Sequence, residues 1–379
     1  MLNKKGFFRY FLLIFFAVLT GYTFLIRASF YNDEGEGVRP GVRIISEKLA
    51  GDYALFRLLE QGVSPREAYQ PENISSFLHK TLHIKGDFFS YASAVKSFLV
   101  VPSLQNPYLI FSEVWFFWGL FLFGAALYTF LPLKMALLLM FALPAPFLCF
   151  ATGGWGLLMA AGIILALTLP EGYPKAAGFF GALCLIEPLS FFAVLAVFLI
   201  RRQKKTALVC SAVAGILLFF SLQRYGITAF TEAFKAAFAH LKNYPADMMS
   251  LTSLLYRSGL PLFFALTVQM AVAGIIIYFS CTLLLKSSCP QAVQDAYLCA
   301  ALCLISPFAS LGDYGLLYAG AAFLIRDMDA RGVLKGDHAF LLLAFSSIYL
   351  ELFCVSLTGA SIHFWLAVGL LLISYRRSY

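Results

Sequence analysis

A chain of 379 residues that is 61% hydrophobic and 13% charged cannot be an ordinary soluble domain, which carries about 25% charged residues. Its formal charge of +8 is scattered over short loops and the chain ends. That excludes a nucleic-acid-binding stripe and matches the Lys and Arg excess of cytoplasmic membrane loops.

The first apolar run covers about 7–26, behind Lys4, Lys5 and Arg9. The bulky stretch Tyr22 to Phe30 offers no small-residue cleavage site, so the run is expected to remain as a first span. Further runs lie at about 110–131, 133–151, 155–170, 174–200, 206–223, 261–285, 292–308, 312–326, 338–357 and 360–375. Runs of this length read as a polytopic all-α membrane protein, not as the short alternating segments of an outer-membrane barrel.

The stretch 174–200 is expected to break at Glu187-Pro188, because proline removes a backbone donor and clashes with the preceding turn. With the break there are about 12 crossings, and Lys134, Lys175, Arg201 to Lys205, Lys286, Arg326, Arg331, Lys335, Arg376 and Arg377 fall on one side with Lys4 and Lys5. As one kinked helix it gives 11 crossings and puts the basic run Arg201-Arg202-Gln203-Lys204-Lys205 on the other side. Charge bias favours the break, one integral membrane domain over 1–379, and both termini in the cytoplasm.

Two longer polar stretches then face outward, 27–109 and 224–260. Leu55, Leu58, Leu59, Phe77, Leu78 and Leu82 recur at steps of three and four, as do Phe230, Ala233, Phe234, Ala237, Phe238 and Leu241. Both patterns predict amphipathic helices on the membrane surface. The eight cysteines lie in apolar segments and read as packing residues. Asp327-Met328-Asp329 has the spacing of a metal-binding pair but reads as a solvated cytoplasmic turn beside Arg326 and Arg331. No phosphate-binding glycine loop or catalytic triad pattern is present, and no metal or cofactor is expected.

The chemistry is expected in the first outward stretch. Asp87 sits among Phe88, Phe89 and Tyr91 and would serve as a general base on a hydroxyl. Its plain structural role would be an N-cap for a helix running on toward Lys96. Arg224, Lys235, His240, Lys242 and Arg257 are the cations expected on the outward side. Of these, Arg257 stands first because it directly precedes a span, though an interfacial anchor would also sit there. Asp313 and Tyr314 mark the outward end of another span. Trp115, Trp118 and Trp155 would stack on a ligand or anchor at headgroup depth.

The order of short motifs resembles a known family. Asp87-Phe88-x-x-Tyr91-x-x-Ala94 and Asn106-Pro107-Tyr108 come first, then Leu143-Pro144-x-Pro146 and Gly153-Gly154-Trp155-Gly156. Ala177-Gly178-x-x-Gly181 follows, ahead of Glu187-Pro188. Ser250-Leu251-x-x-Leu254-Leu255-x-Arg257 and Ile305-Ser306-Pro307 with Asp313-Tyr314 close the series. Over about residues 80–325 this is similar to the GT-C class of polyprenyl-phosphate-sugar-dependent glycosyltransferases, family 87, the mannosyltransferase-like group.

The resemblance implies an inverting transfer of a hexose, usually mannose, from a polyprenyl-phosphate carrier to an external glycan or lipid acceptor. It puts the work at the outer face of the plasma membrane, with Asp87 as base. Tyr91, Arg224, His240, Arg257, Asp313 and Tyr314 are the expected substrate contacts. Two positions depart from the family: Glu187 stands where a lysine is usual, and Gly154 where a glutamine is. A lipid-linked-sugar transporter and a non-catalytic partner subunit are the competing readings.

Overall fold

A computed structural model describes residues 47–379, apart from 83–86, 145, 147, 148, 150–154, 246, 247, 249, 287, 310–313, 335, 348, 349, 351–353 and 355–360. The expected first span at 7–26, Gly153, Gly154 and Asp313 lie outside the described residues. All regular elements described are helical.

Four helices come first: α1 (Glu47–Glu60), α2 (Pro65–Ala68), α3 (Pro71–Leu82) and α4 (Ala94–Val100). Then follow α5 (Tyr108–Tyr128), α6 (Leu133–Ala142), α7 (Gly156–Thr168), α8 (Pro174–Leu183), α9 (Pro188–Ile200) and α10 (Lys204–Asn243). The chain closes with α11 (Leu251–Arg257), α12 (Leu262–Leu285), α13 (Gln291–Ile305), α14 (Gly315–Arg331), α15 (Asp337–Phe345) and α16 (Ile362–Arg377).

Three of these are long and apolar enough to cross a membrane: α5 over Ile110–Tyr128, α10 and α12. Several shorter apolar helices accompany them, among them α6, α7, α8, α9 and α13. Large apolar side chains stand exposed on the long helices, such as Phe121, Phe219 and Phe263. A water-facing surface of that kind would be strongly unfavourable, whereas hydrocarbon accepts it. The protein is membrane-embedded.

The break at 174–200 is present. α8 ends in a 3-10 turn at Cys184–Ile186, Glu187 is extended (φ −118°, ψ 98°), and Pro188 opens α9. Proline at the first helical position needs no donor there, so it starts a helix as readily as it ends one. A second irregularity lies within α10, where Gly226 (φ 72°, ψ 170°) interrupts the helical path. That left-handed φ is open to glycine and strained for other residues. The apolar part of α10 ends there, and the part carrying Phe230 to Leu241 begins.

Two hydrophobic cores result. The larger joins α5 to α16 and contains Phe123, Leu127, Ile163, Ile164, Tyr318 and Phe323. The smaller joins α1 to α4 with the start of α5, Trp155 and the far part of α10, through Phe56, Leu55, Ile74, Leu78, Tyr108, Phe111 and Ala229. Burying each large side chain of the smaller core stabilises it by roughly 1.5–3 kcal/mol wherever the alternative is water. The seam between the two cores is where the cavity described next lies.

Asp327-Met328-Asp329 is not a solvated turn. It belongs to the last turns of α14, and Asp327 is buried. Asp327 binds Arg331 (2.8 Å) and Arg377 (2.5 Å), and Arg377 also pairs with the buried Asp337. The spacing that suggested a metal pair serves an ion-pair lattice tying α14 to α15 and α16.

Candidate active site

The segment 87–93 is extended and crosses α1 backbone against backbone. A Cβ on Gly51 would collide with the Phe89 carbonyl oxygen, so only glycine permits the crossing. The segment is pinned at several points: the Phe88 N–H donates to Ser75 Oγ (2.9 Å) and Tyr69 Oη to the Ala92 carbonyl (2.6 Å). Burial pushes the Tyr69 hydroxyl far above its ordinary pKa, with the nearby Asp52 charge adding to it, so it remains a donor.

Helix α4 starts later than the sequence pattern implied. Its N-cap is Ser93, whose Oγ accepts from the Lys96 N–H (3.3 Å), and not Asp87. The Ser93 hydroxyl also donates to the Ile186 carbonyl (3.2 Å). That bond draws the α8–α9 break against the first turn of α4.

Asp52 lies at the centre. It is 1% exposed and accepts from Ser90 Oγ (2.6 Å), Trp155 Nε1 (2.9 Å) and Lys96 Nζ (2.9 Å). Lys96 is 3% exposed, and its ammonium lies 4.7 Å from the centre of the Trp155 ring. A buried carboxylate needs such partners, since desolvation would otherwise exceed any gain. One turn before Asp52 on α1, Lys48 reaches over the Tyr91 ring at 5.3 Å.

Around these groups opens a cavity of about 410 Å³, within the size range of small-ligand sites. Lys48, Asp52, Phe89, Ser90, Tyr91 and Lys96 form one side. Glu187, Pro188, Ser190, Phe230, Phe234, Ser306, Pro307 and Tyr314 come from α8–α9, α10 and the approaches to α14. A second cavity of about 170 Å³, lined by Leu99, Trp115, Leu122, Trp155, Phe180 and other apolar groups, shares Lys96, Met159 and Ile186 with the first. Among the described residues no three His, Cys, Asp or Glu side chains come together in a way that would hold a metal ion.

Tyr91 and Tyr314, two of the expected contacts, line the same cavity although more than two hundred positions separate them. His240 is buried and stacks on Phe89 at 3.5 Å between ring centres. Burial, and secondarily the Lys48 charge, push its pKa down to about 4. At neutral pH it is therefore an uncharged stacking platform behind the cavity wall and not a phosphate-binding cation.

Arg224 is exposed and donates to Glu60 (Nε to Oε1, 3.0 Å), which also accepts from Tyr225 Oη (2.6 Å). Burial alone would raise the Glu60 pKa, but the bonds from Arg224 and Tyr225 outweigh it and hold it below the ordinary value. This clasp fastens α1 to α10. Arg257 is exposed at the end of α11. Neither arginine, nor Asp87, is among the cavity-lining residues. Asp87 is exposed, two residues before Phe89, which does line it. Trp118 is exposed on α5, while Trp115 and Trp155 pack together at 5.0 Å.

Sequence reasoning missed Lys48, Asp52 and Lys96 as site groups. A signal for two of them existed: Lys48 and Asp52 are charged residues four apart on a helix whose neighbours are largely apolar.

A chamber with two ammonium groups, a fixed carboxylate, serines and aromatic walls, set in an apolar helical bundle, is the candidate site for a polar substrate. Residues 95–307, more than half of the chain, match glycosyltransferase family 87. The chain belongs to that family and is a membrane glycosyltransferase. No curated protein and no solved structure matches the chain.

Proposed function

We propose that the enzyme transfers a hexose, mannose by resemblance, from a polyprenyl-phosphate carrier to a glycan or lipid acceptor at the outer face of the plasma membrane. In this reading the chain crosses the membrane about 12 times with both termini cytoplasmic. The observation that carries it is the chamber itself, where the buried Lys96 ammonium stands beside an apolar annex and Lys48 lines the chamber alone. A sugar attached through phosphate to a long hydrocarbon asks for that combination.

The reaction is a single displacement. The acceptor oxygen bonds to the anomeric carbon, the bond from that carbon to the phosphate oxygen breaks, and its electron pair leaves with the phosphate. The acceptor proton goes to a base, and the configuration inverts. Asp87 is the proposed base: it heads the segment 87–93 whose next residues form one chamber wall, and its exposure leaves it open to an arriving acceptor. A base must come within hydrogen-bond reach of the hydroxyl, a contact that often tightens only in the substrate complex.

Asp52 is a poorer choice for that role, because three donors from within the fold already occupy its oxygens. Tyr91 and Tyr314, which line the chamber, would contact the sugar, and Arg257 and Asp313 are further proposed substrate contacts. Purified enzyme given polyprenyl-phosphate hexose and acceptor should lose transfer by about 10²–10⁴-fold on Asp87→Asn while melting like wild type. Full activity in that variant sinks the assignment of the base.

A further inference from the structure

Lys96 stands out from every other cation described. It is the cation that lines both cavities, with its ammonium where the mixed chamber meets the apolar annex. Asp52 takes one of its N–H groups, and the Trp155 ring lies against another side. An ammonium has three donors, so donor capacity remains toward the chambers. Asp52 is meanwhile held by Ser90 and Trp155, so it keeps its place when the ammonium takes a second partner.

We propose that Lys96, oriented by Asp52 and seconded by Lys48 at the rim, is the anchor for the lipid-borne phosphate of the substrate. This rests on the glycosyl-transfer reading above. The apolar annex beside Lys96 favours a phosphate that carries hydrocarbon over one that is free in water. Chemistry sharpens the role. In the donor the phosphate is a diester with one negative charge. When the sugar–phosphate bond breaks, the departing polyprenyl monophosphate gains another. A fixed ammonium in a desolvated site stabilises that added charge more than it stabilises the donor. Lys96 therefore acts in the displacement itself as well as in binding.

The Ser93–Ile186 hydrogen bond brings the α8–α9 break to the first turn of α4, and Glu187 lines the same chamber as Lys96.

The test measures binding of polyprenyl monophosphate to the full chain in lipid nanodiscs, against the uncharged polyprenol of equal length. Wild type should prefer the phosphate. If it binds both equally, the phosphate-linked donor proposed above fails and the anchor with it. If wild type discriminates, Lys96→Met should weaken phosphate binding by roughly 10- to 100-fold, the worth of one charge-assisted hydrogen bond, and Lys96→Arg should retain most of it. Retained discrimination in Lys96→Met overturns the anchor while leaving the donor reading intact.

Because Lys96→Met strands a buried carboxylate, the double variant Asp52→Asn/Lys96→Met serves as its folded control. It should melt near wild type and still lose discrimination; tight phosphate binding by the double variant also overturns the anchor. Asp52→Asn alone, which leaves the ammonium in place, should bind phosphate at least as well as wild type, and a loss equal to that of Lys96→Met would show a purely structural pair. Full displacement of the lipid by millimolar inorganic phosphate would overturn the lipid-borne source.

Discussion

Two ion-pair clusters built around buried carboxylates lie toward opposite ends of α14, ends that are some thirteen residues and thus about 20 Å apart along the helix. Near its start, beside Tyr314, is the chamber with Asp52, Lys96, Ser90 and Trp155. Near its end is the lattice of Asp327, Arg331, Asp337 and Arg377. The chemistry is alike, but the surroundings differ. In the lattice the arginines turn their remaining donors on the protein: Arg377 Nη2 donates to the Gly332 carbonyl (2.8 Å) and Arg331 Nη2 to the Arg377 carbonyl (3.0 Å). Neither cavity is lined by any of these four residues. Lys96 instead borders open volume on two sides. A buried charge saturated by protein is a fastener, whereas one that keeps a face toward a cavity is equipped to receive a ligand.

The largest effect is expected at the lattice. Arg377→Met leaves Asp327 and Asp337 buried without their shared partner, a loss of about 3–5 kcal/mol. Thermal unfolding in detergent should show a severe drop, with activity lost only in proportion to folded protein. A variant that melts like wild type breaks the distinction. Gly51→Ala comes next. The new methyl meets the Phe89 carbonyl oxygen, so the segment 87–93 must shift at a cost of roughly 1–3 kcal/mol. Transfer activity should fall further than stability does, and equal losses would argue against a catalytic part for this segment.

Asp52→Asn should destabilise by no more than about 1–3 kcal/mol, because the ammonium left behind borders a chamber that accepts water. A loss matching that of Arg377→Met would erase the contrast between the two clusters.

The smallest effect concerns pH. With its folded pKa near 4 against an ordinary 6.5, His240 binds its proton more weakly in the folded chain than in the unfolded one. The stability linked to it is complete above pH 6.5, declines as the pH falls toward 4 and is level below that. Each tenfold weakening of proton binding is worth about 1.4 kcal/mol at most. His240→Phe, which keeps the stack on Phe89, should flatten the melting profile across that window. An unchanged acid slope would place the titrating group elsewhere.

What the sequence revealed and what it hid follow from the range of the interactions. The break at Glu187-Pro188 was legible because proline dictates it locally. So was the all-helical membrane class, since composition and run length decide it. The apolar stripe on the far part of α10 was legible too, though not the glycine that aims it. The site carboxylate was not. Asp52 is buried because α1 meets the chain 38 residues on at Ser90 and 103 residues on at Trp155, and no local pattern reports such pairings. Arg224 read as a free external cation for the same reason: its partner Glu60 is 164 residues away. Tyr91 and Tyr314 were found from the order of short motifs, without any physical link between them visible in the sequence.

Gly226 carries one more consequence. A single peptide unit separates the part of α10 suited to hydrocarbon from the part that lays Phe230, Ala233, Phe234 and Ala237 along the chamber. With no slack between them, angular register passes straight from one to the other. One residue inserted just after position 226 would swing that face by about 100° and present Ala229, Glu232 and Ala236 toward the substrate in place of the aromatic wall.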